Sequence, residues 1–293
     1  MADIGTAAAA VAGAVGSSVV FHPLDTILTL QQTSVSNKYI IPFPQYWRGV
    51  TVSALLTTPA FTVYLLSYRQ AKKELSSQYG SDSAITYGLS GIFAELTSSV
   101  LWTPMEVIKG RMQLISSPGM VSTTKTIAQI YKEEKIRGFF RGYWMSLAMY
   151  TPATICYWYT YENLKTYMRQ RQKRKAALAS SSSSPPPTQD LSALQYALAS
   201  SVATIAGETI TNFLDVVKTR QQLACSAEVR ALRPDDSASV ARVARNLIRE
   251  VGVFRALFKG LHVRLLYALP TGVLSMVIVE SIKPDIDTDE YGL

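Results

Sequence analysis

Apolar residues gather in six long stretches of this chain, roughly Ala7 to Leu30, Val50 to Ala71, Ile85 to Ile108, Tyr143 to Leu164, Ala193 to Val217 and Leu261 to Ile282. A helix needs about 20 mainly apolar residues to cross a hydrocarbon core, and each stretch is that long. None is uniformly greasy. Each carries Ser, Thr, Gly or Tyr along one stripe, which predicts helices with a lipid-compatible outer face and a polar face lining something. Composition agrees: of 293 residues, 48% are hydrophobic and only 17% charged, against about 25% charged in soluble domains.

The stretches are not independent. "YWRG" (46–49), "FFRG" (139–142) and "LFKG" (257–260) align on Gly49, Gly142 and Gly260, and ten residues after each glycine stands a proline, Pro59, Pro152 or Pro270. Ten further come Arg69, Glu162 and Glu280, and three beyond those Lys72, Lys165 and Lys283. Upstream, "HPLDTILTLQQ", "TPMEVIKGRMQ" and "NFLDVVKTRQQ" align on Asp25, Glu106 and Asp215. Three residues later two copies have a base, Lys109 and Lys218, where the first has Leu28; four later all have glutamine, Gln32, Gln113 and Gln222. Landmarks recurring at fixed spacing mark an internal repeat. Each copy holds two spans, so copies share one orientation and are related by rotation about the membrane normal. The expected fold is an all-α membrane protein, six transmembrane helices in a pseudo-threefold barrel of three two-helix repeats: 1–80, 81–175 and 191–293, with a flexible Ser/Pro linker at 176–190.

Other features change the picture less. The opening "MADIGTAAAAVAGAVGSSVVFHP" lacks a basic n-region and its apolar run continues into Asp25, so no cleavable signal is expected. Cys156 and Cys225 lie in different segments without metal spacing, and no metal or cofactor is expected. The net charge of +8 suits anionic lipid or solutes; bases scattered around apolar spans argue against nucleic acid. No nucleophile–base pair or phosphate-cradling loop points to an enzyme.

The repeated Pro-x-acid-x-x-base opening and the later aromatic-base-Gly resemble the mitochondrial carrier family over nearly the whole chain. The resemblance implies transport of a small-molecule substrate by a monomer in the mitochondrial inner membrane, with a peroxisomal membrane as the alternative. It implies that each acid pairs with the base of the next copy: Asp25 with Lys109, Glu106 with Lys218, and Asp215 facing Leu28 without a partner, with Gln32, Gln113 and Gln222 bracing this matrix gate. A second, cytoplasmic gate would pair Glu162 with Lys283 and Glu280 with Lys72, leaving Lys165 facing Arg69. An ion pair in a partly wet cavity nets little, so such bonds can be made and broken in a cycle. Helices should kink at Pro23 and Pro104, and Phe213, in the third proline's place, predicts a straighter fifth span or a kink made some other way. Gly49, Gly142 and Gly260 open helices with free N–H groups, the family's cardiolipin sites.

The resemblance places substrate contacts at Leu56, Met149, Tyr150, Tyr267 and Ala268. No arginine stands among these, which disfavours nucleotides and dicarboxylates; Arg264, one turn earlier, is either a cation for the cavity or a headgroup contact. Glu95 and Glu208 lie deep in spans, where a carboxylate costs roughly 2.5–3.5 kcal/mol on insertion scales. They should face the cavity or a partner and would suit a cationic or zwitterionic solute, such as an amino acid or basic cofactor. The bland alternative is a helix-packing hydrogen bond to Ser or Thr. From a different class comes a carrier-derived scaffold or insertase without transport, to which the departures at Leu28, Arg69 and Phe213 would contribute.

Overall fold

A computed structural model describes residues 4–33, 41–80, 84–115, 121–179, 191, 193–237 and 239–282, all helix, turn or irregular chain with no strand among them. The first apolar stretch makes two helices, α1 (Ile4–Val20) and α2 (His22–Thr33), which meet at 65°. Pro23 thus sits in the first turn of a new helix, where its missing N–H breaks no intrahelical bond. The sequence predicts a kink here; the structure has a full break at Phe21.

A 3-10 turn at Phe43–Trp47 leads into α3 (Val50–Tyr79), which is followed by α4 (Ala84–Leu114), α5 (Thr123–Phe139) and α6 (Tyr143–Ala179). The last third comprises α7 (Ala193–Leu223), α8 (Ala227–Leu232), α9 (Val240–Val251), α10 (Val253–Phe258) and α11 (Leu261–Ile282). Pro104 lies inside an unbroken α4, and α7 runs through Phe213 without interruption. Helix α6 reaches Ala179, so helix extends into the stretch read as linker, because the basic residues before it and the alanines at 176–177 are good helix formers; 180–190 lies outside the described residues. The short α5, α8 and α9 begin at Ser122, Ser226 and Ser239, whose side chains accept backbone N–H bonds, satisfying a donor that the first turn leaves orphaned.

The long helices are inside-out relative to a water-soluble protein. Leu55, Leu66, Phe93, Val100, Trp144, Ile155, Leu198, Ile210, Leu266 and Val273 are exposed, while Thr57, Ser90, Ser98, Ser146, Thr211 and Lys218 on the same helices are buried. An apolar surface of this extent belongs in lipid, and buried polar side chains belong around a shared interior. Length and apolarity alone single out the continuous stretch Phe43–Tyr79 and, as a second, the bent pair Val11–Val20 with His22–Thr33. Each long helix touches the next: α1 packs on α3, α3 on α4, α4 on α6, α6 on α7, α7 on α11, and α11 returns to α1.

Candidate functional site

The aligned acids meet at one end of this helical circuit. Lys109 Nζ donates to Asp25 Oδ1 across 3.0 Å, and Gln113 Nε2 donates to Asp25 Oδ2 across 2.7 Å. Lys218 Nζ donates to Glu106 Oε1 at 2.8 Å, with Gln222 Nε2 at 2.8 Å from Oε2. The third acid breaks the pattern. Asp215 accepts from Gln32 Nε2 at 2.6 Å; Leu28 supplies no charge, but Asp215 is not alone as the sequence predicts. Helix α11 lies against α7 and brings Arg264 Nε to 3.5 Å from Asp215 Oδ2. So every acid takes a glutamine from a neighbouring copy, in cyclic order, and two also take a lysine.

Arg264 is buried, which removes it as a headgroup contact. Its Nε forms an ion pair with the Glu208 carboxylate, Nη1 donates to the Glu208 carbonyl at 3.1 Å, and Nη2 to Thr211 Oγ1 at 3.3 Å. Glu95 accepts from Ser99 Oγ on its own helix at 3.0 Å and has no basic partner among the described residues. The Tyr150 hydroxyl donates to Glu106 Oε1 at 3.5 Å, and its ring lies 4.9 Å beneath Lys218 Nζ. Tyr150 stands within electrostatic reach of Glu95, Glu106, Glu208 and Asp215, and Tyr267 within reach of Asp25, Lys109 and Glu208. Both tyrosines therefore join the charged cluster. Ala268 is half-buried beside Tyr267, Met149 is buried, and Leu56 packs against the cluster of Val52, Met105 and Ile108 instead of the charged group. An apolar side chain there gains more from its neighbours' methyl groups than from a charged cavity.

The opposite end gives less. Lys72 Nζ sits 4.7 Å over the Tyr87 ring and Lys165 Nζ 4.6 Å over Tyr161, while Arg69 is exposed. Lys283 and the side chains of Glu162 and Glu280, the rest of the expected cytoplasmic gate, lie outside what is described.

The aligned glycines have a packing role. Gly49, Gly142 and Gly260 have φ of +85°, +80° and +75°, a left-handed conformation costly for residues with a Cβ. A Cβ on Gly49 would come within 3.0 Å of Lys109 Cγ, on Gly142 within 2.7 Å of Gln222 Cγ, and on Gly260 within 3.6 Å of Leu28 Cδ1. Each glycine lets an even-numbered span rest on the latch residues of an adjacent copy.

Sequence reasoning missed two arginine clusters. Arg111 and Arg141 grip Glu134, and Arg220 and Arg233 grip Glu250, the latter at 2.8 and 2.5 Å. They tie α5 and α9 to the ends of α4 and α7. Burial pushes the Glu134 carboxyl up, but Arg111 and Arg141 outweigh it and hold it below the ordinary range. Glu250 behaves alike, lowered by Arg233 and Arg220. Burial, with Arg220 and Arg233 nearby, brings Lys259 down to about 8. Glu134 lies eight residues before its copy's glycine and Glu250 ten before, so no fixed register exposes the correspondence. The histidines are structural: His22 Nε2 bonds the Arg48 carbonyl at 2.9 Å and His262 lies 3.4 Å from Gln31 Nε2.

Residues 80–172 and 189–287 match the family model described as mitochondrial carrier protein. The chain belongs to the mitochondrial carrier family. An uncharacterized mitochondrial carrier of Schizosaccharomyces pombe is 35% identical over 97% of this chain and 100% of its own length. Mitoferrin-2 of Homo sapiens is 28% identical over 93% of this carrier and 75% of its own length, and a mitoferrin of Dictyostelium discoideum 30% identical over 69% and 66%. This carrier is thus an all-α membrane protein of the inner mitochondrial membrane, a transporter of small molecules and not an enzyme.

Proposed function

We propose that this carrier moves a cationic or zwitterionic small metabolite, such as an amino acid or a basic cofactor, by alternating access. One observation carries the substrate class. Among the described residues, five carboxylates, Asp25, Glu95, Glu106, Glu208 and Asp215, gather around the latch with three bases, Lys109, Lys218 and Arg264, so this cluster has negative charge to spare for a positive group. Tyr150, Tyr267, Met149 and Ala268 supply the polar and apolar surface around it, and Leu56 part of the wall.

The circuit of helix contacts supports reading the spans as a six-helix, pseudo-threefold, multi-pass barrel of three repeats, 1–80, 81–175 and 191–293. The cyclic pairs of Asp25, Glu106 and Asp215 would then close the matrix end as a gate. Lys72, Glu162, Lys165, Glu280 and Lys283 would close the cytoplasmic end in the other state, and a bound solute lowers the barrier between the two by binding between them. The helix-opening Gly49, Gly142 and Gly260 leave N–H groups for cardiolipin, and the carrier works as a monomer by exchange.

A second reading takes ferrous iron as cargo, favoured by the relatives named mitoferrins and by the same carboxylate surplus. Among the described residues no three of His, Cys, Asp or Glu stand together as a metal site, which favours the organic cation.

Reconstitution into liposomes tests both. Purified carrier should exchange labelled basic or neutral amino acids or amine-bearing cofactors, and not dicarboxylates or nucleotides. Glu95→Gln should raise KM about tenfold, the equivalent of ~1.4 kcal/mol, with thermal stability unchanged because the Ser99 bond survives. Uptake of anions alone sinks the substrate class, uptake of iron alone selects the second reading, and no uptake across the panel favours a scaffold.

A further inference from the structure

The two lysine bridges each cross between copies: Asp25 to Lys109 joins the first to the second, Glu106 to Lys218 the second to the third. Arg264 and Asp215 both belong to the third copy. We infer that Arg264 is a counter-ion recruited from within the third copy to replace the base missing at Leu28, and that, among the described residues, the latch seam between third and first copies is consequently the one without an ion pair.

Three observations converge. Arg264 stands four residues after Gly260, where the other copies have Ser53 and Ser146, both buried. The charge therefore appears at this position only in the copy whose acid has lost its lysine. Its Nε pairs with the Glu208 carboxylate and stands 3.5 Å from Asp215, answering two partly exposed carboxylates that would otherwise repel each other. Leu28, meanwhile, fills the place of a lysine stem: its Cδ1 rests against Gly260 as Lys109 Cγ rests against Gly49. A lysine at 28 would follow the same path and arrive at Asp215, as its register equivalents arrive at Asp25 and Glu106. At the seam between third and first copies Asp215 takes the neutral donor Gln32, and Arg220 and Arg233 donate to the Gln32 and Thr33 carbonyls at 3.1 and 2.7 Å, hydrogen bonds to neutral carbonyls instead of an ion pair.

Arg264 is thus a positioning residue. It holds the Asp215 carboxylate where Gln32 reaches it, and that seam has no lysine–carboxylate pair to break at the latch when the gate opens.

This inference rests on the latch reading, and its test uses no substrate, so it can fail independently of the uptake assay. Thermal unfolding of the purified full-length carrier in detergent is followed for Arg264→Gln, Leu28→Lys, Leu28→Met and the double variants. Arg264→Gln should lower Tm by about 5–10 °C, as expected for stripping a carboxylate pair of its buried cation in a chain of this size. Adding Leu28→Lys should recover at least half of that loss; adding Leu28→Met, similar in length but uncharged, should recover none. Asp215→Asn should also recover it, by removing the charge that needs an answer. If Arg264→Gln yields no folded carrier, the reading becomes whether Leu28→Lys restores a folded species. Failure of Leu28→Lys to rescue, or equal rescue by Leu28→Met, overturns the inference.

Discussion

Lys218 holds Glu106 at 2.8 Å while its ammonium also covers the face of Tyr150 at 4.9 Å, so one side chain from the third copy binds an acid and a ring of the second. The site is asymmetric: Lys218 is almost fully buried and Glu106 has a fifth of its side chain exposed. Removing the acid therefore strands a buried cation. Glu106→Gln should lower stability by about 2–4 kcal/mol, the range for breaking a mostly buried pair, and exchange of charges between the two positions should restore most of it. Thermal unfolding measures both, and in liposomes the single variant should also change the exchange rate. Unchanged Tm in Glu106→Gln would show that the pair holds nothing together.

Two glycines separate backbone strain from contact. Gly80 and Gly142 both have positive φ, but a Cβ on Gly80 meets nothing within 4 Å, whereas one on Gly142 comes within 2.7 Å of Gln222 Cγ. Gly80→Ala, at φ 87° and ψ 149°, should cost only backbone strain of about 1–3 kcal/mol. Gly142→Ala carries its own positive-φ strain and also pushes Gln222 off Glu106, so its exchange should slow while that of Gly80→Ala does not. Equal losses in the two would remove the close approach from the account.

The response to pH follows from groups outside the spans. Lys259, at about 8 in the folded chain against an ordinary value of 10.5, binds protons less readily folded than unfolded. Stability thus rises with pH between about 8 and 10.5 as the unfolded chain alone stays protonated. Lys259→Gln should raise Tm at pH 7 and lose that advantage by pH 10. A Tm difference independent of pH would show that the charge is not at issue.

Acid acts through the opposite sign. The arginine-held Glu134 and Glu250 lie below the ordinary carboxylate range, so they stabilise above the unfolded value and that contribution drains away as pH falls through the folded one. Glu134→Gln should be less stable than the native chain at pH 7 and converge with it on acidification. Hydrogen exchange in α5 is the local readout.

What could be read from the chain was whatever the copies share. Asp25, Glu106 and Asp215 and their glutamines keep one spacing in three contexts, and Lys109 and Lys218 in two, so each copy calibrates the others; the pairing order came with the family resemblance. What could not be read was the response to a defect. Arg264 answers the loss of the base at Leu28 through a contact between α11 and α7 that no local spacing encodes; the hint was a lone arginine in a column otherwise of serine. The break at Phe21 escaped for another reason. Pro23 and Pro104 look alike in the sequence, yet one starts a helix and the other rides inside one, because packing around each decides whether the turn before it is kept. The arginine clusters on Glu134 and Glu250 sit in links of unequal length, where alignment has no purchase.

Gln32 and Asp215 lie 183 positions apart, more than twice the separation of 84 between Lys109 and Asp25. The first and second copies can meet as soon as α4 is made, whereas α2 must wait for α7, and α1 for α11. Bridging so wide a loop carries the largest entropic cost of the three joins, so the junction of first and third copies should be the last to form.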